Sequence, residues 1–455
     1  MHTASRLTLT ALAIGVAGIL AAGQADASGF QIRENSVKNL GRANAGTTVA
    51  WGDASVVLNN PAAMTNLKQT TVQADVTVID LTADFEGSGT TALGAPAGPL
   101  SGGNGGDPGD ATPVPAMAAV FPLHGALEGV TLGASISAPF GLKTEYDPTW
   151  MGRYDAIKSD VKVVDLTLSA AVAFTDRISV GAGVIVQRAD VTLSKAIDFG
   201  TALCAAADPM NCFNPLYPFH PQAQDGAIEV SGADTDIGFV FGAQVKATDN
   251  LTFGYAHRTE VHHTLTGDAT FTKPASVAAT FDVLHVDAYD DGSIWASFDT
   301  PSTDTVSVLW NVAPGFRLMG DAQLTGWESL QSVDIYRDNG AVVGSEAFEW
   351  KDSWFYSIGG EWDMSDALTF RAGVGYDETP THDDTRTPRL PDNNRTVYTL
   401  GLTWNATPNL SVDAAYMRVQ IDDPKVATTS SSGSHLNGEF TGHADLLGVS
   451  AQYRF

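Results

Sequence analysis

Cysteine, positive charge and long apolar segments are all scarce in this chain of 455 residues. It has two cysteines and no His pair near them, which excludes a zinc site built on cysteine. Lys and Arg number 25 against 52 Asp and Glu, so the net charge is −27. Nucleic-acid binding needs a basic surface, so no nucleic-acid partner is expected. The motifs G-x-S-x-G and H-E-x-x-H are also absent, so we expect no enzyme, no cofactor and no metal ion.

The N-terminal segment carries a sustained apolar run. Arg6 precedes the stretch Leu7 to Gly23, and Ala25-Asp26-Ala27 places small residues where a signal peptidase reads them. The stretch is too short and too rich in glycine for a membrane anchor, and no later stretch reaches the roughly 18 apolar residues of a spanning helix. We therefore predict a signal peptide over residues 1–27 and an exported protein without a membrane helix.

Export bears on the two cysteines, Cys204 and Cys212. Seven residues separate them in the sequence. Because the compartments outside the cytoplasm are oxidising, this short spacing predicts a disulfide within one loop.

Alternation of apolar and polar residues runs through most of the remaining chain. In Leu166–Phe174 and in Tyr398–Trp404, every second residue is apolar. Successive side chains of a strand point to opposite faces, so each such segment has one apolar face and one polar face. Fourteen strands can be counted, with approximate spans 69–86, 110–123, 126–146, 153–174, 177–198, 227–247, 249–270, 292–313, 315–338, 343–365, 367–383, 390–407, 409–423 and 443–455.

This pattern favours an outer-membrane barrel over a soluble β-propeller or sandwich, whose strands also alternate. The strand number is even, short turns alternate with long polar loops, and the last strand ends on the aromatic Phe455. Tyr and Trp recur near strand ends like an interfacial girdle, as at Trp310, Trp327, Trp350 and Trp362. We predict an all-β fold, a 14-stranded antiparallel transmembrane β-barrel over residues 69–455. Residues 28–68 show no sustained periodicity of apolar and polar residues. They are predicted to plug the lumen of the barrel as an N-terminal hatch.

Short motifs at matching places resemble one known family. They are Ser28-Gly29-Phe30-Gln31, Gly41-Arg42-Ala43, Asn60-Pro61-Ala62 and Pro139-Phe140-Gly141-Leu142. In this order they resemble the hatch and the kinked third strand of the FadL/TodX family of outer-membrane transporters for long-chain fatty acids and other hydrophobic compounds. The resemblance extends over essentially the whole mature chain. It implies a lateral opening in the barrel wall at Pro139, Phe140 and Gly141, near the hatch motif Asn60, Pro61 and Ala62.

The chemistry of two of these motifs can be stated independently. Asn60 is a good helix cap and Pro61 suits the first helical position, so Asn60-Pro61-Ala62 predicts a helix start. Pro139 lacks an N–H and interrupts a strand ladder. Because a closed barrel has no edge strand, a proline there implies a bulge or a gap in the wall.

Three residues are candidates for ligand binding by resemblance to the fatty-acid transporters. Arg188 and Lys351 match basic residues that hold the ligand carboxylate, and Phe30 matches the hatch aromatic residue in the ligand pocket. The alternation around Lys351 places it on the lumen face, whereas Arg188 shares the parity of lipid-facing residues unless a bulge near Gln187 redirects it. The alternatives are that each cation pairs with a lumen acid and that Phe30 is a buried anchor.

Apolar residues in two otherwise polar loops suggest an apolar groove through which a hydrophobic ligand enters. They are Phe213, Leu216, Tyr217, Phe219 and Phe281. The alternative is that they pack against one another and stiffen the loops, with the Cys204–Cys212 disulfide assisting.

The expected function is passive uptake of long-chain fatty acids across the bacterial outer membrane, by a monomer in contact with outer-membrane lipid and lipopolysaccharide. Uptake of aromatic or alkane hydrocarbons by the same route is the alternative cargo. A lipid-modifying enzyme is the alternative of another class, for which His257, His262 or His382 would have to pair with a serine; no local motif supports it. A water-filled porin is disfavoured by the predicted plug.

Overall fold

A computed structural model describes residues 29–49, 52–93 and 98–455. The predicted signal peptide, residues 1–27, lies outside these ranges. None of the helices within them is both long and apolar enough for a membrane crossing.

The strands form a single antiparallel sheet that closes on itself. Its first strand pairs with its last from Thr71 opposite Arg454 to Thr90 opposite His435. The strands are β1 Thr71–Thr90, β2 Thr112–Pro122, β3 Val130–Glu145, β4 Lys158–Ala173, β5 Ile178–Asp198, β6 Asp225–Lys246, β7 Leu251–Arg258, β8 Val261–Thr272, β9 Gly292–Thr300, β10 Thr303–Ala313, β11 Phe316–Thr325, β12 Ser332–Arg337, β13 Val342–Ala347, β14 Ser353–Ser365, β15 Leu368–Asp377, β16 Arg395–Asn405, β17 Leu410–Ile421, β18 Lys425–Thr429 and β19 His435–Arg454.

These segments make fourteen strands of the barrel wall, which confirms the strand count predicted from the sequence. Four wall strands are interrupted and consist of β7 with β8, β9 with β10, β11 with β12, and β13 with β14. The short β18 extends β17, since both pair with β19. Tight turns join the strands at one end of the barrel and long loops at the other; we call these the short-turn end and the long-loop end.

The wall has an apolar outer face and a polar inner face. On β4, Leu166 and Leu168 are exposed on the outside, whereas Asp165 and Thr167 are buried within. This arrangement inverts that of a soluble barrel, and a lipid-facing apolar band requires it.

Residues 29–49 and 52–68 lie across the inside of the barrel. They contain α1 Val37–Leu40, α2 Val56–Asn59 and two 3-10 helices, Thr47–Val49 and Pro61–Asn66. The helix α1 contacts β16, β17 and β19, Thr47–Val49 contacts β7 and β10, and Pro61–Asn66 contacts β4, β5 and β6. Because these strands stand on different sides of the ring, the segment lies within the lumen.

Close packing and buried charge hold this segment to the wall. The Arg42 guanidinium is fully buried and donates to Glu361 at 2.7 Å, and Glu361 also accepts from Arg317 and Arg371. Two wall glycines leave room for this approach. A Cβ at Gly359 would lie 2.3 Å from the Arg42 carbonyl oxygen, and one at Gly373 would lie 2.4 Å from its carbonyl carbon.

The long-loop end carries two further helices, α3 Phe199–Ala207 and α4 Ala275–Leu284. Short 3-10 helices also occur there at Pro209–Phe213 and Trp327–Ser329, whereas Gly125–Leu127 lies in a turn at the short-turn end.

Candidate functional site

Phe30 lies at the centre of a buried aromatic cluster. Its ring centroid is 4.8 Å from that of Trp327, 5.7 Å from Trp350, 5.8 Å from Phe298 and 5.9 Å from Phe140. Aliphatic side chains complete this aromatic pocket, among them Leu142, Val163, Leu265, Leu330 and Leu390. The cluster is closely packed, and its side chains are of the apolar kind that surrounds apolar ligands.

Two tryptophans of this pocket correct the predicted interfacial girdle. Trp310 and Trp362 are exposed on the outer face, as predicted, but Trp327 and Trp350 are buried inside. Both depart from their predicted faces because they lie outside regular strands. Trp327 begins a 3-10 helix, and Trp350 follows Glu349, whose φ of 50° takes the chain out of strand geometry.

The same irregularity overturns the predicted lumen position of Lys351. The strand β13 ends at Ala347 and β14 starts at Ser353, so the alternation of β14 does not extend to Lys351. Its side chain is exposed, and its backbone N–H donates to the Pro380 carbonyl. Lys351 therefore does not reach the aromatic pocket.

Arg188 also lies outside the lumen. The pairing of β5 with β4 and with β6 continues without a register shift, so no bulge near Gln187 redirects it. Its side chain is 51% exposed on the outer face and forms an ion pair with Asp190 at 2.8 Å. Of the two orientations that the sequence left open for Arg188, the structure has the outward one, because β5 stays regular.

Two other cations stand above the aromatic pocket, in a cavity of about 340 Å³ at the long-loop end. Lys195 and Arg389 both lie beside Glu346, with N to O distances of 3.6 and 3.3 Å. We call this space the outer cavity. Asp155 is a fourth charged neighbour, and burial raises the pKa of its carboxyl to about 6, while Lys195 and Arg389 favour its charged form.

The outer cavity and the aromatic pocket share an apolar wall. Ile228, Val230, Phe271 and Ile335 form the apolar side of the outer cavity. Val333 packs against this group and also against the aromatic pocket. Val333 therefore links the apolar side of the outer cavity to the cluster around Phe30.

The predicted entrance-groove residues divide into two groups. Phe213 and Leu216 are exposed, Leu216 by 90%, whereas Tyr217 and Phe219 are half-buried with ring centroids 6.0 Å apart. Phe281 is buried against Phe199 of α3 and does not line a surface groove, because α4 turns it inward. Cys204 and Cys212 are bonded to each other and join α3 to the 3-10 helix that follows.

The hatch motif occupies a helix start. The Oδ1 atom of Asn60 accepts from Ala62 N at 3.0 Å, and Pro61 opens the 3-10 helix. The Asn60 Nδ2 atom donates to the Thr48 carbonyl at 2.7 Å and to the Ala243 carbonyl of β6 at 3.1 Å. One side chain thus caps a helix, joins two parts of residues 29–68 and fixes them to the wall.

The wall has a gap between β2 and β3. Their ladder runs from Pro122 opposite Thr131 to Met117 opposite Ile136 and stops there. Beyond that point β2 still pairs with β1, and β3 still pairs with β4, but no ladder joins β2 to β3. The gap closes where Glu145 N donates to the Pro108 carbonyl at 3.0 Å. We call it the β2–β3 seam, formed by Thr112–Ala116 on one side and Ser137–Thr144 on the other.

Three prolines explain the seam. On β3, the register against β4 shifts between Ser137 and Phe140, around Pro139. The backbone there pairs with the N-terminal segment instead of β2, since Ile32 N donates to the Pro139 carbonyl and Gly141 N donates to the Phe30 carbonyl, each at 2.7 Å.

The other edge carries Pro113 and Pro115. The β1–β2 ladder runs unbroken past both, so their nitrogen atoms face the seam. If the β2–β3 register continued, these two prolines would stand opposite Phe140 and Ala138. A proline nitrogen carries no hydrogen, so β2 lacks a donor at the two positions where the ladder would resume.

Comparisons with known proteins agree with this architecture. Residues 18–455 match the family described as "Outer membrane protein transport protein (OMPP1/FadL/TodX)". The chain is 26% identical to the long-chain fatty acid transport protein of Escherichia coli O6:H1 over 470 residues, covering 100% of each chain. It is 26% identical to outer membrane protein P1 of Haemophilus influenzae over 474 residues, covering 97% of this chain and 98% of the relative.

Solved structures show the same fold. A Pseudomonas aeruginosa FadL homologue superimposes with a TM-score of 0.86 at 26% identity, covering 94% of this chain and 99% of that one. The Pseudomonas putida toluene transporter TodX superimposes with a TM-score of 0.65 at 16% identity, covering 91% and 98%. The chain therefore belongs to the OMPP1/FadL/TodX family of outer-membrane proteins, which transport fatty acids or hydrophobic aromatic compounds.

Proposed function

We propose that this protein takes up long-chain fatty acids and releases them sideways into the outer membrane. The observation that carries the proposal is the pair of cations, Lys195 and Arg389, beside an apolar wall that Val333 links to the cluster around Phe30. A fatty acid has one carboxylate and one long apolar tail. The outer cavity offers a partner to the first, and the aromatic pocket offers a surface to the second.

Charge is the feature that favours a fatty acid over an aromatic hydrocarbon. A carboxylate leaving water needs charged hydrogen-bond donors, because an unpaired buried charge is very costly. Toluene has no charge and gains nothing from Lys195 or Arg389. The full-length similarity to long-chain fatty acid transport proteins supports the same choice of cargo.

Residues 29–68 are proposed to act as a plug, or hatch. They cross the lumen and are tied to it by buried ion pairs such as that of Arg42 with Glu361. A path straight through the lumen would lead an acyl chain past these charges. Crossing them would be unfavourable for an apolar tail.

The β2–β3 seam is the proposed exit. Its edges carry buried apolar side chains, including Val114, Ala116, Ala138 and Phe140. Phe140 touches Phe30 in the aromatic pocket and also forms part of the seam, so the pocket lies directly behind the gap. We propose that Phe30 moves when a ligand enters and that the tail then passes between β2 and β3 into the bilayer.

The cargo can be tested in a bacterial strain that lacks its own fatty-acid transporter. We expect the chain to restore growth on oleate and uptake of labelled oleate, because the outer cavity pairs the carboxylate. Protein assembled in the outer membrane is verified by the different mobility of unboiled and boiled samples in SDS, since a closed barrel keeps its backbone hydrogen bonds internal.

The result separates the candidate functions. Uptake of toluene without uptake of oleate would contradict the fatty-acid assignment. Steady ion conductance in planar bilayers would contradict the plug. Phospholipid turnover by the purified protein would favour an enzyme. We expect the active form to be a monomer surrounded by outer-membrane lipid and lipopolysaccharide.

A further inference from the structure

A second, smaller cavity lies inside the barrel next to Pro139. Its volume is about 80 Å³, and its lining includes Ile32, Arg33, Pro139 and Arg258. We call it the inner chamber. Phe30 points into the aromatic pocket, whereas Ile32 and Arg33 line the inner chamber. The hatch chain from Phe30 to Arg33 therefore forms a partition between the two spaces, and this partition is held to β3 by the hydrogen bonds at the seam.

Two arginines in the inner chamber have N–H groups that no described residue accepts. Arg33 uses Nη1 on Asp377 at 2.7 Å and Nε on Gln323 at 2.9 Å, which leaves Nη2 without a partner. Arg258 uses Nη1 on Asp165 at 2.6 Å, which leaves Nε and Nη2 without partners. The Arg33 side chain is only 9% exposed, so these donors are directed into a closed space.

The other polar groups of the chamber limit what it can accept. Asp321 also lines it, but its oxygens already accept from Gly46 N and from Thr47 N and Oγ1. The side-chain oxygens of Asn35 and Asn44 are without partners among the described residues. The unused groups are thus three N–H donors on two cations and two amide oxygens.

This set of groups matches a carboxylate with water beside it. A carboxylate accepts from the guanidinium donors, and a water molecule donates to the amide oxygens. Leaving charged donors unused in a buried site costs free energy, so three such nitrogen atoms indicate that the site takes an occupant that accepts hydrogen bonds. The cavity is larger than one water molecule needs.

We propose that the inner chamber is a second binding site for the cargo carboxylate, which is occupied after the outer cavity and before release through the β2–β3 seam. The proposal rests on the proposed function. A carboxylate that leaves Lys195 and Arg389 needs a new charged partner before its tail can pass the seam. Arg33 and Arg258 supply that partner beside Pro139, once the partition around Gln31 moves.

The test uses Arg33→Lys and Arg258→Lys. Each keeps the charge that faces Asp377 or Asp165 and removes the unused guanidinium donors. The matched control is Arg317→Lys, because the Arg317 side chain is 12% exposed, like that of Arg258, and all its described donors are paired with Glu361 and Asp363. Oleate binding by the purified protein and uptake of oleate and octadecanol by cells are measured for every variant.

We expect the chamber variants to slow oleate uptake roughly tenfold, the loss of one charged hydrogen bond. In the chamber variants, oleate binding at the outer cavity and octadecanol uptake should stay within about twofold of the values for the unmodified chain. Oleate uptake by the Arg317→Lys control should stay within the same limit. Equal losses of oleate and octadecanol uptake would contradict a carboxylate-binding site in the inner chamber. The two arginines would then only shape the passage. Unchanged uptake of both would make the chamber a water pocket. An unmodified chain that takes up octadecanol but no oleate would instead reject the proposed function.

Discussion

Replacing Lys195 by methionine should weaken oleate binding by roughly tenfold or more, because the carboxylate loses a charge-assisted partner worth about 1.5–3 kcal/mol. Lys195 is the cleaner of the two cations to replace, since Arg389 also donates to the backbone carbonyls of Lys158 and Ser194. Binding of octadecanol, which has the tail without the charge, should change little. The affinity of the purified protein for both ligands is the measurement.

The opposite change is expected for Glu346→Gln. Glu346 is the carboxylate that Lys195 and Arg389 already face, so it competes with the ligand for them. Neutralising it should tighten oleate binding and leave octadecanol unaffected. A control is Lys162→Met, which removes a lysine paired with Asp160 outside the cavity. Equal losses for oleate and octadecanol in Lys195→Met, or weaker oleate binding in Glu346→Gln, would contradict the head-group role.

Closing the β2–β3 seam should reduce oleate uptake to background while oleate binding persists. The change combines Pro113→Thr, Pro115→Thr and deletion of Pro139. The threonines restore two backbone donors, and the deletion removes the extra residue of β3 that shifts its register against β4. Hydrogen bonds can then join β2 to β3 beyond Met117, as they do throughout the rest of the wall.

The control for this variant is Pro122→Thr, a proline of the same strand that is already paired with β3. Amide hydrogen exchange establishes whether the ladder has extended, because newly paired amides become protected. A variant with protected amides in Thr112–Ala116 and undiminished oleate uptake would mean that cargo leaves by another route.

The barrel wall was predictable because its signal is local and repeated. Each strand carries a period of two over ten or more residues, and membrane lipid outside a polar interior makes that period strict. The strand count and most spans in the sequence therefore match the structure. The last strand differs most, since β19 begins at His435 and not near residue 443, and β15 ends at Asp377 and not near residue 383.

The site was less predictable because the alternation of inward-facing and outward-facing side chains holds only within a continuous strand. Lys351 and Trp350 were assigned by extending the alternation of β14 across residues that are not in a strand. The orientation of Arg188 was left open, because a bulge that β5 does not have would have turned it inward. Its outward parity was the correct signal.

The cations that face the cargo in our proposal had weaker signals. Lys195 lies on the same strand as Arg188, near its end at the long loops, and could have been singled out by position. Arg389 lies in the segment between β15 and β16, where no periodicity indicates a direction. Its position depends on contacts with Lys158, Ser159 and Ser194, which are distant in sequence.

The measurement that tests the central claim most directly is mapping of the route with a fatty acid that carries a photoreactive group near the end of its tail. After illumination in the outer membrane, mass spectrometry identifies the labelled residues. We expect labels at Phe30 and Trp327 in the aromatic pocket and at Val114 and Ala138 on the seam. At the short-turn end, a polar cavity of about 530 Å³ lined by Arg371 and Arg454 stands where a straight lumen route would emerge. Labels concentrated there, with none on the seam, would contradict sideways release.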